Sequence, residues 1–128
     1  MYSVSAERSL RARHAMPGGK ASERREHEHE YTVRATLRGR KLDDNGFLTD
    51  ADALDLQLKS VLEGFRGTLL NEAPELQGRM PSMEVFAEMI WERMAEGLGK
   101  ERLESMEIKV SESPTISASY ARSFADRD

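Results

Sequence analysis

Two long runs near the start of the chain repeat with a period of two, and that period leaves few folds open. In "YSVSAERSLRARH", Tyr2, Val4, Ala6, Leu10, Ala12 and His14 fall on even positions, with Ser3, Ser5, Glu7, Ser9, Arg11 and Arg13 between them, although Arg8 interrupts the apolar set. In "HEHEYTVRATLRG", His27, His29, Tyr31, Val33, Ala35 and Leu37 alternate with Glu28, Glu30, Thr32, Arg34, Thr36 and Arg38. Such alternation predicts two strands, each with one buried and one solvated face. The intervening "PGGKASERRE" joins turn chemistry to charge, which predicts a flexible loop and an antiparallel pair.

Helical spacing takes over after "LDDNGFLTD", where Thr49 is a cap candidate and Asp50 and Asp52 suit the positive end of a helix dipole. Leu54, Leu58, Val61, Leu62 and Phe65 then predict a first helix from about Asp50 to Glu63. "PSMEVFAEMIWERMAEGLG" predicts a second helix, opened by Pro81 and Ser82 and closed by Gly97 and Gly99, with Val85, Phe86, Met89, Ile90, Met94 and Leu98 on one side. Trp91, Met89 and Phe86 are expected in the core rather than in a cofactor site. Alternation returns at Met106, Ile108 and Val110, and again in "ISASYARSF". The resulting order, strand, strand, helix, helix, strand, strand, predicts an α+β fold: a four-stranded antiparallel sheet with both helices on its apolar face and the other face uncovered. Its open edges call for pairing, so edge-to-edge oligomerisation is expected.

A chain of 128 residues suffices for one core, so residues 1–124 are expected to form a single domain and 125–128 a short loose tail. A net charge of −4 gives no reason to expect nucleic acid or an anionic membrane as partner. The chain has no cysteine, which removes disulfides, thiolate ligands and thiol nucleophiles and fits a reducing compartment. Charges run through the N-terminal stretch where a signal peptide would need apolar residues, and no apolar run can span a bilayer, so a cytoplasmic location is expected.

Only three histidines occur, His14, His27 and His29. On a strand, His27 and His29 point to the same face roughly 6.5–7 Å apart, and in an antiparallel pair His14 ends its strand beside the start of theirs. Three imidazoles converging with no fourth protein ligand match the open, catalytic type of zinc site. A lone H-x-H pair would more simply be two residues on a solvated strand end; a third histidine at the same corner favours metal.

At this point the chain resembles the 6-pyruvoyltetrahydropterin synthase and 6-carboxytetrahydropterin synthase family over nearly its whole length. "LRARH" is similar to the family's F-x-A-x-H, "HEHEY" to H-G-H-N-Y, "NGFLTDADALDLQLKSVL" to the G-M-V-x-D-F segment, "LLNE" to Y-L-N-E, "PSMEVFAEMIW" to the P-T-x-E-N-L-A-x-W-I helix and "VSESPTISASY" to the V-x-E-T strand. The resemblance implies a T-fold that assembles through trimeric barrels into a homo-hexamer, with active sites between subunits. It implies zinc on His14, His27 and His29, Glu112 gripping a pterin ring, and dihydroneopterin triphosphate or a related pterin as substrate for lyase chemistry.

Two departures bear on catalysis. The family's cysteine, four residues before the first histidine of H-G-H, falls on Glu23, and its Asp-His pair falls on Arg66 and Gly67. With every histidine used as a ligand, no thiolate or imidazole base remains. A carboxylate can act as general base, which makes Glu23 the positional candidate and Glu26 its neighbour; family members with glutamate in place of cysteine resemble enzymes that cleave the side chain to 6-hydroxymethyldihydropterin. Both residues could equally belong to a solvated "SERRE" loop, and Lys20, Arg24 and Arg25 to the same mobile segment. Two readings therefore stand: a zinc-dependent pterin lyase with altered catalytic groups, or a paralogue that binds zinc and a pterin-like or purine-like ligand without the family reaction. A third has the zinc as a purely structural element of an assembly. Glu28, in place of the central glycine of H-G-H, is expected on the opposite face of the strand.

Overall fold

The computed structural model describes residues 1–126. The two alternating runs form strands β1 (Tyr2–His14) and β2 (His27–Gly39), followed by α1 (Ala51–Glu63), α2 (Met83–Gly97), β3 (Ser105–Ser113) and β4 (Ile116–Ser123), with short 3-10 turns between. The sheet order is β1-β2-β3-β4 and every neighbouring pair is antiparallel. Strand order thus follows chain order.

Period two sends Leu10, Ala12, Tyr31, Val33, Ala35, Leu37, Met106, Ile108 and Val110 to one face, where all are buried. Both helices cover that face with Leu54, Leu58, Leu62, Phe86, Ile90 and Met94, and burying each such side chain is worth about 1.5–3 kcal/mol. Trp91 is buried as expected, and its Nε1–H donates to the Met106 carbonyl at 2.9 Å, tying α2 to β3. Arg8 explains its own intrusion on the apolar side of β1: it leans over α1 and forms a two-pronged pair with Asp55 at 2.7 and 2.9 Å. The opposite face stays polar, with Ser5 bonded to Thr36 at 2.9 Å and Glu7 to Arg34 at 3.3 Å.

Several local expectations change in detail. Asp50, rather than Thr49, caps α1, its carboxylate accepting from the Asp52 and Ala53 amides; with the helix beginning at Ala51, Asp50 is the residue whose side chain faces the free amides of the first turn. Ser82 caps α2 through the Val85 amide. Gly39 ends β2 where a Cβ would run into the Arg102 carbonyl oxygen and approach Leu48 Cδ1 to 2.7 Å. The edges are less open than expected, because residues 67–69 lie along the end of β1: Gly67 N donates to Arg11 O and Arg13 N to Thr68 O, both at 2.8 Å. Beyond β4, Phe124 is buried and opens a 3-10 turn through Asp126; residues 127 and 128 of the expected tail lie outside the described residues. Among the described residues, no helix is long and apolar enough to cross a membrane.

Candidate metal centre

Register places the histidines. His14 pairs across the strands with His27, and Ala12 with His29, so the three imidazoles share the apolar face at one end of the sheet. Their ring centroids form a triangle with 4.6 Å sides, each pair meeting edge-on at 70–79°. The Nε2 of His27 lies 3.0 Å from that of His14 and 2.9 Å from that of His29, and one ligand atom from each residue falls within 4.8 Å of the others. Donors bound tetrahedrally at zinc–nitrogen bond lengths would stand about 3.3 Å apart, a spacing these rings reach with small rotations.

The outer nitrogens of His14 and His27 are also engaged. His27 Nδ1 lies 2.7 Å from the Arg25 carbonyl, and His14 Nδ1 lies 3.0 Å from the Tyr31 hydroxyl. Outer partners of this kind leave the inner nitrogens as lone-pair donors. His14 is 4% exposed; burial first, then the neighbouring His29 and His27, lowers its pKa to about 4. It is therefore a neutral donor near pH 7. Three imidazoles facing one point suit a divalent ion of borderline softness such as zinc, so the residues present fit the expected metal.

The other expected residues separate. Glu23 ends the 3-10 turn Ala21–Glu23, its carbonyl accepting from Met16 N at 2.8 Å, and its charge acts on His14. Its carboxylate occupies the space over Gly19, where a Cβ would lie 2.6 Å from Oε2. Glu26 instead pairs with Arg13, whose side chain points away from His14 by strand alternation. Glu112 is exposed near the end of β3; one step beyond the Thr32–Ser111 pair it comes opposite Tyr31, whose pKa its charge helps to raise. The three histidines and Glu23 thus lie together with Glu112 beside Tyr31, while the Glu26 carboxylate, at the same end of the sheet, is turned to Arg13. Glu28 pairs with Arg11 at 3.3 Å on the polar face, clear of the imidazoles.

Sequence reasoning passed over two residues here. Asn71, within "LLNE", clamps the residue after His14: its Oδ1 accepts from Ala15 N at 2.8 Å and its Nδ2 donates to Ala15 O at 2.9 Å. Tyr31 stands in the sequence only as one of the alternating residues of its strand. The available signals were an amide in a motif segment and a tyrosine two residues beyond H-x-H, but neither states which atom it meets.

Comparison with known proteins agrees with this fold. 6-Carboxy-5,6,7,8-tetrahydropterin synthase of Bacillus subtilis (strain 168) is 29% identical over 126 residues, covering 93% of this chain and 84% of that protein. The solved 6-pyruvoyl tetrahydropterin synthase of Plasmodium falciparum has a TM-score of 0.81 at 19% identity, over 96% of this chain and 98% of that one. The Caenorhabditis elegans enzyme of the same name gives 0.71 at 20% identity, over 94% and 96%. These structures share the T-fold: a four-stranded antiparallel sheet backed by two helices. The description 6-pyruvoyl tetrahydropterin synthase matches residues 3–123, so that nearly the whole chain, histidines included, belongs to the 6-pyruvoyl tetrahydropterin synthase family.

Proposed function

We propose that the protein is a zinc-dependent pterin lyase acting on the side chain of dihydroneopterin triphosphate or a related 6-substituted pterin. The observation that carries this reading is the convergence of three Nε2 atoms within the sheet end that also bears Glu23 and Glu112. His14, His27 and His29 would hold the zinc, which would supply a Lewis acid for an oxygen of the substrate side chain. Glu112 accepts paired hydrogen bonds from the amino group and ring N–H of the heterocycle, which directs the side chain toward the histidines. Glu23 takes the proton leaving that side chain, a task a carboxylate can perform as general base.

Glu23 is preferred to Glu26 because Arg13 occupies the Glu26 carboxylate. A catalytic glutamate has a precedent on this fold: Plasmodium vivax 6-pyruvoyltetrahydropterin synthase has been solved as variants in which a catalytic glutamate is replaced. We further assign a homo-hexamer, a dimer of trimers, and a cytoplasmic location consistent with the absence of cysteine.

Incubating zinc-loaded protein with dihydroneopterin triphosphate and analysing products by mass spectrometry tests the reading. A 6-substituted pterin is expected, its side chain distinguishing loss of triphosphate from carbon–carbon cleavage; Glu23→Gln should abolish turnover while zinc is retained. Arg66 and Gly67, standing where the family carries Asp-His, favour the second reading, a paralogue that binds zinc and a pterin without this reaction. Pterin binding with no product in the wild type would select it.

A further inference from the structure

We infer that Tyr31 is a positioning residue for the metal centre, its buried hydroxyl holding the His14 imidazole in the tautomer and orientation that present Nε2 to the ion. This rests on the metal reading above. The two nitrogens of His14 face different partners: Nε2 lies 3.0 Å from His27 Nε2, and Nδ1 lies 3.0 Å from Tyr31 Oη. A neutral imidazole carries one proton, so donating Nδ1–H to the phenol oxygen leaves the Nε2 lone pair inward. Tyr31 is 1% exposed, so little water competes for that bond.

The hydroxyl is itself held in place through packing. The Tyr31 ring meets Phe86 of α2 edge-on with centroids 5.1 Å apart, and Phe86 meets Phe65 at 5.2 Å and 88°. An aromatic row therefore runs from the chain just after α1, through α2, to a metal ligand on β1. For packing alone a phenylalanine at position 31 would serve, since a buried hydroxyl is unfavourable without a partner. His27 meets the same need through a backbone group, the Arg25 carbonyl. His27 and His29 keep their own nitrogens at the site, so loss of the Tyr31 hydroxyl should weaken it without abolishing it.

The test is Tyr31→Phe in the full chain, which keeps the ring row. Zn2+ and Co2+ affinities are measured by competition with a chromophoric chelator, the His14 tautomer in the metal-free protein by 1H–15N NMR, and apo stability by thermal unfolding. Expected are an affinity lower by about 10- to 100-fold, a shift of His14 from the Nδ1–H tautomer toward a mixture, and an apo melting curve close to wild type. Unchanged affinity and tautomer overturn the inference, as does reduced affinity with the tautomer unchanged, which would mark a packing effect. Failure of the wild type to bind either metal overturns the metal reading, and this inference with it.

Discussion

At the scale of single residues, His14, His27 and His29 differ in their surroundings although they face one point. His14 is buried and hydrogen-bonded through a side chain, whereas His27 and His29 are half-buried at the start of β2. His29→Ala should therefore abolish stoichiometric zinc, measured by inductively coupled plasma mass spectrometry, and leave the far-ultraviolet circular dichroism of the sheet intact. Retained zinc in that variant would remove the three-nitrogen site. The trio was legible in the sequence because two simple rules, alternation and antiparallel pairing, place His14 beside His27. Glu23 and Glu26 could not be told apart that way, since both lie in or beside a loop whose path follows from no period. Only the pairing of Glu26 with Arg13 and the position of Glu23 beside His14 separate them.

At the scale of elements, the segment between the helices does more than connect them. Asn71 holds both backbone groups of Ala15 immediately after His14. Asn71→Ala leaves a half-buried N–H and C=O without these partners, so a loss of about 1–2 kcal/mol is expected in urea denaturation, together with weaker zinc binding because the end of β1 is released. Nearby, Glu75 of the 3-10 turn Pro74–Leu76 pairs with Arg93 of α2, whose guanidinium lies 3.8 Å from the centroid of Phe65. The hydrogen bond from Arg93 holds the Glu75 pKa below its ordinary value of 4.5. A carboxylate depressed in the folded state contributes stability above its unfolded-state pKa and loses it as pH falls through the lower folded value. Glu75→Gln should accordingly cost no more than about 1 kcal/mol near pH 7 and show a shallower loss of stability than wild type below about pH 4.5. Parallel urea titrations at a series of pH values check this, and identical acid limbs would contradict it. The helices themselves were readable from apolar spacing and Ser82, but the cap of α1 was misplaced by one residue, since Thr49 and Asp50 are both good caps and only backbone geometry chooses between them.

At the scale of the whole molecule, a sheet covered on one side leaves β4 and residues 2–9 of β1 as unpaired edges, with 67–69 closing the rest of β1. Sheet edges of this length usually find partners, and joining β4 to the start of β1 of another copy would place the polar face inside a closed barrel. Sedimentation should therefore report about six times the 14.5 kDa chain mass; a single-chain mass at micromolar concentration would refute the assembly. By itself the sequence determined the α+β order, the core face of β1, β2 and β3 and the convergence of the histidines, because periods of two and of helical spacing are local properties that the backbone imposes. Only the tertiary structure decided that 67–69 closes part of an edge, that Asn71 grips Ala15, that Glu26 is taken by Arg13 and that the Tyr31 hydroxyl meets His14. Those contacts join residues brought together by loop paths and helix packing, and neither loop paths nor helix packing leaves a period in the chain.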